Sequence, residues 1–77
     1  MRIGRANWAM PERLANRLKD RRTELGLTQA ELAERVGVTR KTVNTVENGV
    51  FVPSTILALK LAEALDLSVE QLFRIEE

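Results

Sequence analysis

Between Leu27 and Gly49 the sequence specifies where two short helices begin and end, and leaves only a tight turn between them. Thr28 suits an N-cap, because its hydroxyl can accept a hydrogen bond from an unpaired N–H of the first turn. Glu31, three residues on, can bond back to the cap, which completes a capping box. Leu27 and Leu32 flank the cap as a hydrophobic staple. Leu32 and Val36 share one face with Ala33, whose small side chain lets a neighbouring helix cross closely. Gly37 ends the helix, since glycine enters the left-handed region without steric cost. The scheme then repeats, with Thr39 as cap and Val38 and Val43 as staple. Val43 and Val46 face inward, and Gly49 after Asn48 is the stop.

Arg40 and Lys41 occupy the first turn of the second helix, where the helix dipole is positive. A cation there is unfavourable by about 0.3–1 kcal/mol. Two together point to an external anion, and DNA supplies one in its phosphates and guanine edges. An ordinary αα-hairpin with two solvated charges is the simpler alternative. The double cap, the small residues and the glycine turn favour a helix-turn-helix that enters a major groove. Charge is distributed accordingly. Residues 1–49 carry ten Lys/Arg against six Asp/Glu, and residues 50–77 carry two against five, so a net charge of +1 conceals a basic and an acidic half. Such asymmetry orients a protein on DNA.

With 77 residues, one domain is expected. Cysteine and histidine are absent, which excludes disulfides, thiolate or imidazole metal sites and the usual general base. Tyrosine is absent and aromatics make up 4%, too few for a base-stacking platform. The composition therefore predicts no enzyme, no cofactor and no metal. No apolar run approaches a membrane span and no secretory pattern opens the chain, so a cytoplasmic location is expected.

Residues 1–10 lack a helical period and are expected to form a flexible extension; the alternative is an arginine arm, Arg2 and Arg5, in a minor groove. Residues 11–77 are expected to form the DNA-binding domain. Its first helix ends near Leu25, with Asn16 as the best N-cap and Leu18, Arg22 and Leu25 inward. Residues 11–15 either extend this helix or are extended chain. Ser54 caps a fourth helix that runs to about Leu65, with Leu57, Ala58, Leu61, Ala62 and Leu65 as its core stripe. Ile56 and Leu59 widen that stripe, so part of it should meet the first helix or a second subunit. Ser68 and Gln71 form another capping box for a short helix over 68–72. From Phe73 onward apolar and charged residues alternate, a strand signal whose partner is either another chain or residues 12–16.

These residues resemble the Cro/C1-type, or Xre, helix-turn-helix family. The resemblance covers about Asn16 to Phe73. It is carried by Leu-Gly-Leu-Thr-Gln-Ala-Glu-Leu-Ala at 25–33, Gly37, Thr-Arg-Lys-Thr-Val at 39–43, Glu-Asn-Gly at 47–49, Pro53-Ser54 and Leu-Asp-Leu-Ser-Val-Glu-Gln-Leu-Phe at 65–73. It implies an all-α, five-helix lambda-repressor-like DNA-binding domain with a small β element from the chain ends. It also implies a transcriptional regulator, expected to be a repressor, that binds double-stranded DNA as a homodimer on a near-palindromic operator. Helix 39–48 would be the reader, projecting Thr39, Arg40, Lys41, Thr42 and Thr45 into the groove. Gln29 would anchor a phosphate and brace that helix, while Asn48 and the start of the preceding helix at Thr28 would hold phosphates. Arg22 and Glu47 stand where related repressors form a buried ion pair. Two positions depart from the pattern. Lys41 replaces a common glutamine, which favours guanine or phosphate over adenine, and Val50 replaces a common backbone-binding lysine. The alternative reading is an antitoxin that binds its operator and a protein toxin through the apolar residues of the fourth helix and the tail.

Overall fold

The alternating tail finds its partner within the same chain. In the computed structural model, which describes residues 13–76, strand β1 (Arg13–Asn16) pairs antiparallel with β2 (Phe73–Glu76), in the register Leu14↔Ile75 and Asn16↔Phe73. Residues 13–15 are thus extended chain rather than a helix extension. The expectations for residues 1–10 lie outside the described residues.

Between the strands run five helices, α1 (Leu18–Glu24), α2 (Gln29–Val36), α3 (Arg40–Glu47), α4 (Thr55–Leu65) and α5 (Val69–Leu72). Their ends follow the local chemistry of the sequence. Thr28 Oγ1 accepts from the Glu31 N–H at 3.0 Å, and the Thr28 N–H donates to Glu31 Oε1 at 2.8 Å. These two bonds hold the Glu31 carboxyl below its ordinary pKa. Ser68 and Gln71 form the same reciprocal box at the start of α5. Thr39 and Ser54 cap α3 and α4 with single hydroxyl bonds. Gly37 closes α2 at φ 76°. Asp66 closes α4 in the same left-handed conformation, at φ 56°, which costs any residue with a Cβ more than it costs glycine.

The start of α1 differs from the expectation for Asn16. Arg17 stands at the N-cap position and makes no side-chain cap bond. Asn16 ends β1 instead. Its Oδ1 accepts from the Leu18 N–H at 3.0 Å, while its Nδ2 donates to the Val46 carbonyl at 3.0 Å. One amide therefore ties the strand to the first turn of α1 and to the end of α3. Leu25 does not face inward either. It follows the last turn of α1 and is 42% exposed, and Leu27 fills the core place instead, because left-handed Gly26 turns the chain inward between them.

Leu18, Leu32, Val43, Val46, Leu61, Leu65 and Leu72 are fully buried, so every helix contributes to one core. Ala33 lies inside it, where α2 packs against both α3 and α4. Each buried leucine stabilises the fold by roughly 1.5–3 kcal/mol relative to exposure. Arg21 adds a polar tie: its Nε donates to the Leu65 carbonyl at 2.8 Å, placing a cation at the negative end of α4. The core faces of α2 and α3 thereby fix where their opposite faces point.

Candidate nucleic-acid interface

Thr39 carries the chain into α3 with an extended backbone, and its hydroxyl lies 3.0 Å from that of Thr42. Val43 and Val46 point into the core and set the helix rotation. Helical spacing then places Arg40, Lys41, Asn44, Thr45 and Asn48 on the outer side. Arg40, Lys41, Asn44 and Asn48 are exposed, and Thr42 and Thr45 are half-buried. Thr45 Oγ1 donates to the Thr42 carbonyl at 2.9 Å. The Thr45 carbonyl accepts from the N–H groups of Val50 and Phe51, at 2.9 and 3.2 Å, which fixes the loop leaving α3. Val50 is 78% exposed there.

Glu47 is the acidic residue of α3, and it is turned away from this surface. Its side chain is 3% exposed. Arg22 Nε donates to Glu47 Oε2 at 2.6 Å, and Arg22 Nη2 to Oε1 at 3.3 Å. Arg22 Nη1 donates to the Leu27 carbonyl at 2.7 Å, so the guanidinium joins α1, the turn before α2, and α3. Gln29 completes the set, its Nε2 donating to Glu47 Oε1 at 3.0 Å. No buried side-chain nitrogen or oxygen among the described residues is left without a partner. The carboxylate is thus neutralised and fully bonded, and α3 shows solvent two cations and a row of neutral donors and acceptors.

The structure brings Gln29 and Asn48 to the same side as the α3 residues. Asn44, which the sequence reading passed over, lies between them. Its Nδ2 reaches Gln29 Oε1 at 3.5 Å, and Asn48 Nδ2 donates to its Oδ1 at 3.1 Å and its carbonyl at 3.0 Å. The signal was its spacing, three residues after Lys41 and four before Asn48. Thr28 is exposed at the start of α2, its hydroxyl committed to the capping box. Among the described residues no group of three or more His, Cys, Asp or Glu is placed to hold a metal ion. No helix among them is long and apolar enough to cross a membrane.

The family model described as helix-turn-helix matches residues 18–72, from the start of α1 to the end of α5. The chain belongs to the Cro/C1-type helix-turn-helix family. This Xre-type domain is 51% identical over 61 residues to an HTH-type transcriptional regulator of Methanothermobacter thermautotrophicus, covering 78% of this chain and 88% of that protein. It is 44% identical over 64 residues to the HTH-type transcriptional regulator YgzD of Bacillus subtilis, covering 83% and 97%. The antitoxin HipB of Escherichia coli is 36% identical over 59 residues, covering 77% and 63%. Among solved structures, the restriction-modification controller protein C.AhdI from Aeromonas hydrophila superposes with a TM-score of 0.68 at 42% identity, covering 71% of this chain and 83% of that one. SinR, the master regulator for biofilm formation, in complex with DNA, gives 0.66 at 34% identity, covering 70% and 87%.

Proposed function

We propose that this Xre-type domain is a sequence-specific DNA-binding transcriptional regulator that represses by occupying a near-palindromic operator as a homodimer. The observation that carries the reading is the charge arrangement on α3. Arg40 and Lys41 are exposed in its first turn, while the Glu47 carboxylate is held inside by Arg22 and Gln29. A duplex supplies the phosphates and guanine edges that offset cations placed at the positive end of a helix.

In this reading α3 lies in the major groove. Arg40 and Lys41 read guanine edges or phosphates, Thr39, Thr42 and Thr45 line the groove, and Thr28, Gln29 and Asn48 hold the backbone. Gln29 Nε2 retains a second hydrogen beyond the one given to Glu47, and the first-turn N–H groups of α2 add the dipole's attraction for a phosphate. Asn44 joins this set as a candidate adenine reader. Selection of bound duplexes from a random pool tests the proposal. The expected result is one enriched motif with two related half-sites. Enrichment without sequence preference, or none, overturns it.

The antitoxin reading is supported by the similarity to HipB and by the exposed apolar residues Ile56 and Leu59 of α4. It requires a toxin gene beside the gene for this chain. A locus without one leaves the free-standing regulator.

A further inference from the structure

Among the described residues, β2 has an edge without a partner strand and a face left exposed. The Arg17 N–H donates to the Leu72 carbonyl at 2.9 Å, so the pair 17↔72 is hydrogen-bonded. Along the register, bonded and non-bonded pairs alternate. Residues 74 and 76 therefore turn their backbone groups toward β1, and Ile75 turns its N–H and C=O to the free edge. Directly opposed residues share a face, so Leu14 and Ile75 stand on the same face as Phe73. Phe73 is buried, whereas Ile75 is 62% exposed. The apolar face of the ribbon thus overhangs the domain. Next to it lies an open groove lined by Leu14, Pro53, Ala58, Leu59 and Phe73, and Ile56, also exposed, lies one turn before Leu59 on α4.

We propose that this edge is closed by β2 of a second copy, paired antiparallel with Ile75 on the two-fold axis, to give a four-stranded sheet. Backbone parity fits, because the outward N–H and C=O of Ile75 exchange two hydrogen bonds with those of the other Ile75. Charge fits as well. This register sets Arg74 opposite Glu76 of the other copy twice, so the edge is complementary to itself, as a two-fold interface must be. The apolar face also fits. The two Ile75 side chains become neighbours on the overhanging side, and the ribbons extend each other's cover. An unpaired strand edge is otherwise open to non-specific pairing. This inference rests on the homodimer reading above and names its interface.

Sedimentation velocity on the full chain tests it, with circular dichroism to establish that each variant is folded. Arg74→Glu sets like charges opposite each other at both ends of the pairing, as does Glu76→Arg, and each should weaken self-association about tenfold or more. An equimolar mixture of the two variants restores both attractions and should recover the dimer as a mixed species. Ile75→Cys, in a chain with no other cysteine, should oxidise to a self-linked dimer, because bonded pairs place their Cα atoms about 5.5 Å apart. A dimer that survives both reversals, or a mixture that stays monomeric, overturns the β2 interface and leaves the homodimer reading standing. A parent chain that is monomeric at every concentration, free and on DNA, overturns both.

Discussion

In the proposed reading, the burial of Glu47 decides what α3 offers a duplex. An exposed carboxylate there would repel phosphates; buried, it holds the tilt of α3 through Arg22 and Gln29. Removing either member of the Arg22–Glu47 pair leaves a buried charge unpaired, and should destabilise the fold by about 3–5 kcal/mol in urea unfolding. Replacing both with apolar residues should recover much of that loss yet bind operator more weakly, since the angle of α3 is no longer fixed. If Glu47→Ala unfolds at the parent's urea concentration, the pair does not anchor the helix. Arg40 belongs to the same scale. Arg40→Ala should cost roughly 1–3 kcal/mol on operator if the guanidinium bonds a guanine, and much less on random duplex. Equal losses on the two, measured by titration at one salt concentration, would make Arg40 a phosphate contact only.

At the scale of elements, the caps carry the argument. The two bonds between Thr28 and Glu31 hold the Glu31 pKa down. A lowered pKa means that the carboxylate's contribution is present above the ordinary glutamate value and is lost as pH falls through the lowered one. Glu31→Gln retains an acceptor for the Thr28 N–H but cannot titrate, so its stability should decline less steeply than the parent's between about pH 5 and pH 2. Parallel curves in acid urea titrations would show that the box makes no pH-dependent contribution. The helix stops make a second pair. A Cβ at Gly37 meets nothing within 4 Å, so Gly37→Ala incurs only the local strain of a Cβ residue in the left-handed region at φ 76° and should cost about 1–2 kcal/mol. Asp66→Gly should change stability in the opposite direction by up to about 1 kcal/mol, because Asp66 already pays the left-handed cost at φ 56°.

For the whole molecule, a homodimer on a near-palindrome should set its two α3 helices about 34–36 Å apart, on successive major grooves. Inserting half a helical turn between half-sites should then abolish tight binding in gel-shift assays while each half-site alone stays weak. Unchanged affinity after the insertion would indicate monomers that bind independently. Affinity should also fall steeply and log-linearly with salt, because phosphate contacts release counterions.

Local sequence chemistry set the ends of α2, α3, α4 and α5. Caps, staples and glycine stops are interactions between residues within about five positions of one another, so Thr28, Glu31, Gly37, Thr39, Ser54 and Ser68 declare them locally. The tail's strand character was legible for the same reason, through its period of two. Its partner was not, because pairing of 73–76 with 13–16 or with another chain satisfies the same alternation. The third dimension also decided Leu25 against Leu27, a matter of which way one left-handed glycine turns the chain. It assigned Asn16 to the end of α3 and Arg21 to the end of α4, since carbonyls left open at helix ends accept any donor that packing brings near. Asn44 was placed by the same process. Its neighbours Gln29 and Asn48 come from two helices, and only the packing of α2 on α3 puts them within reach of one side chain.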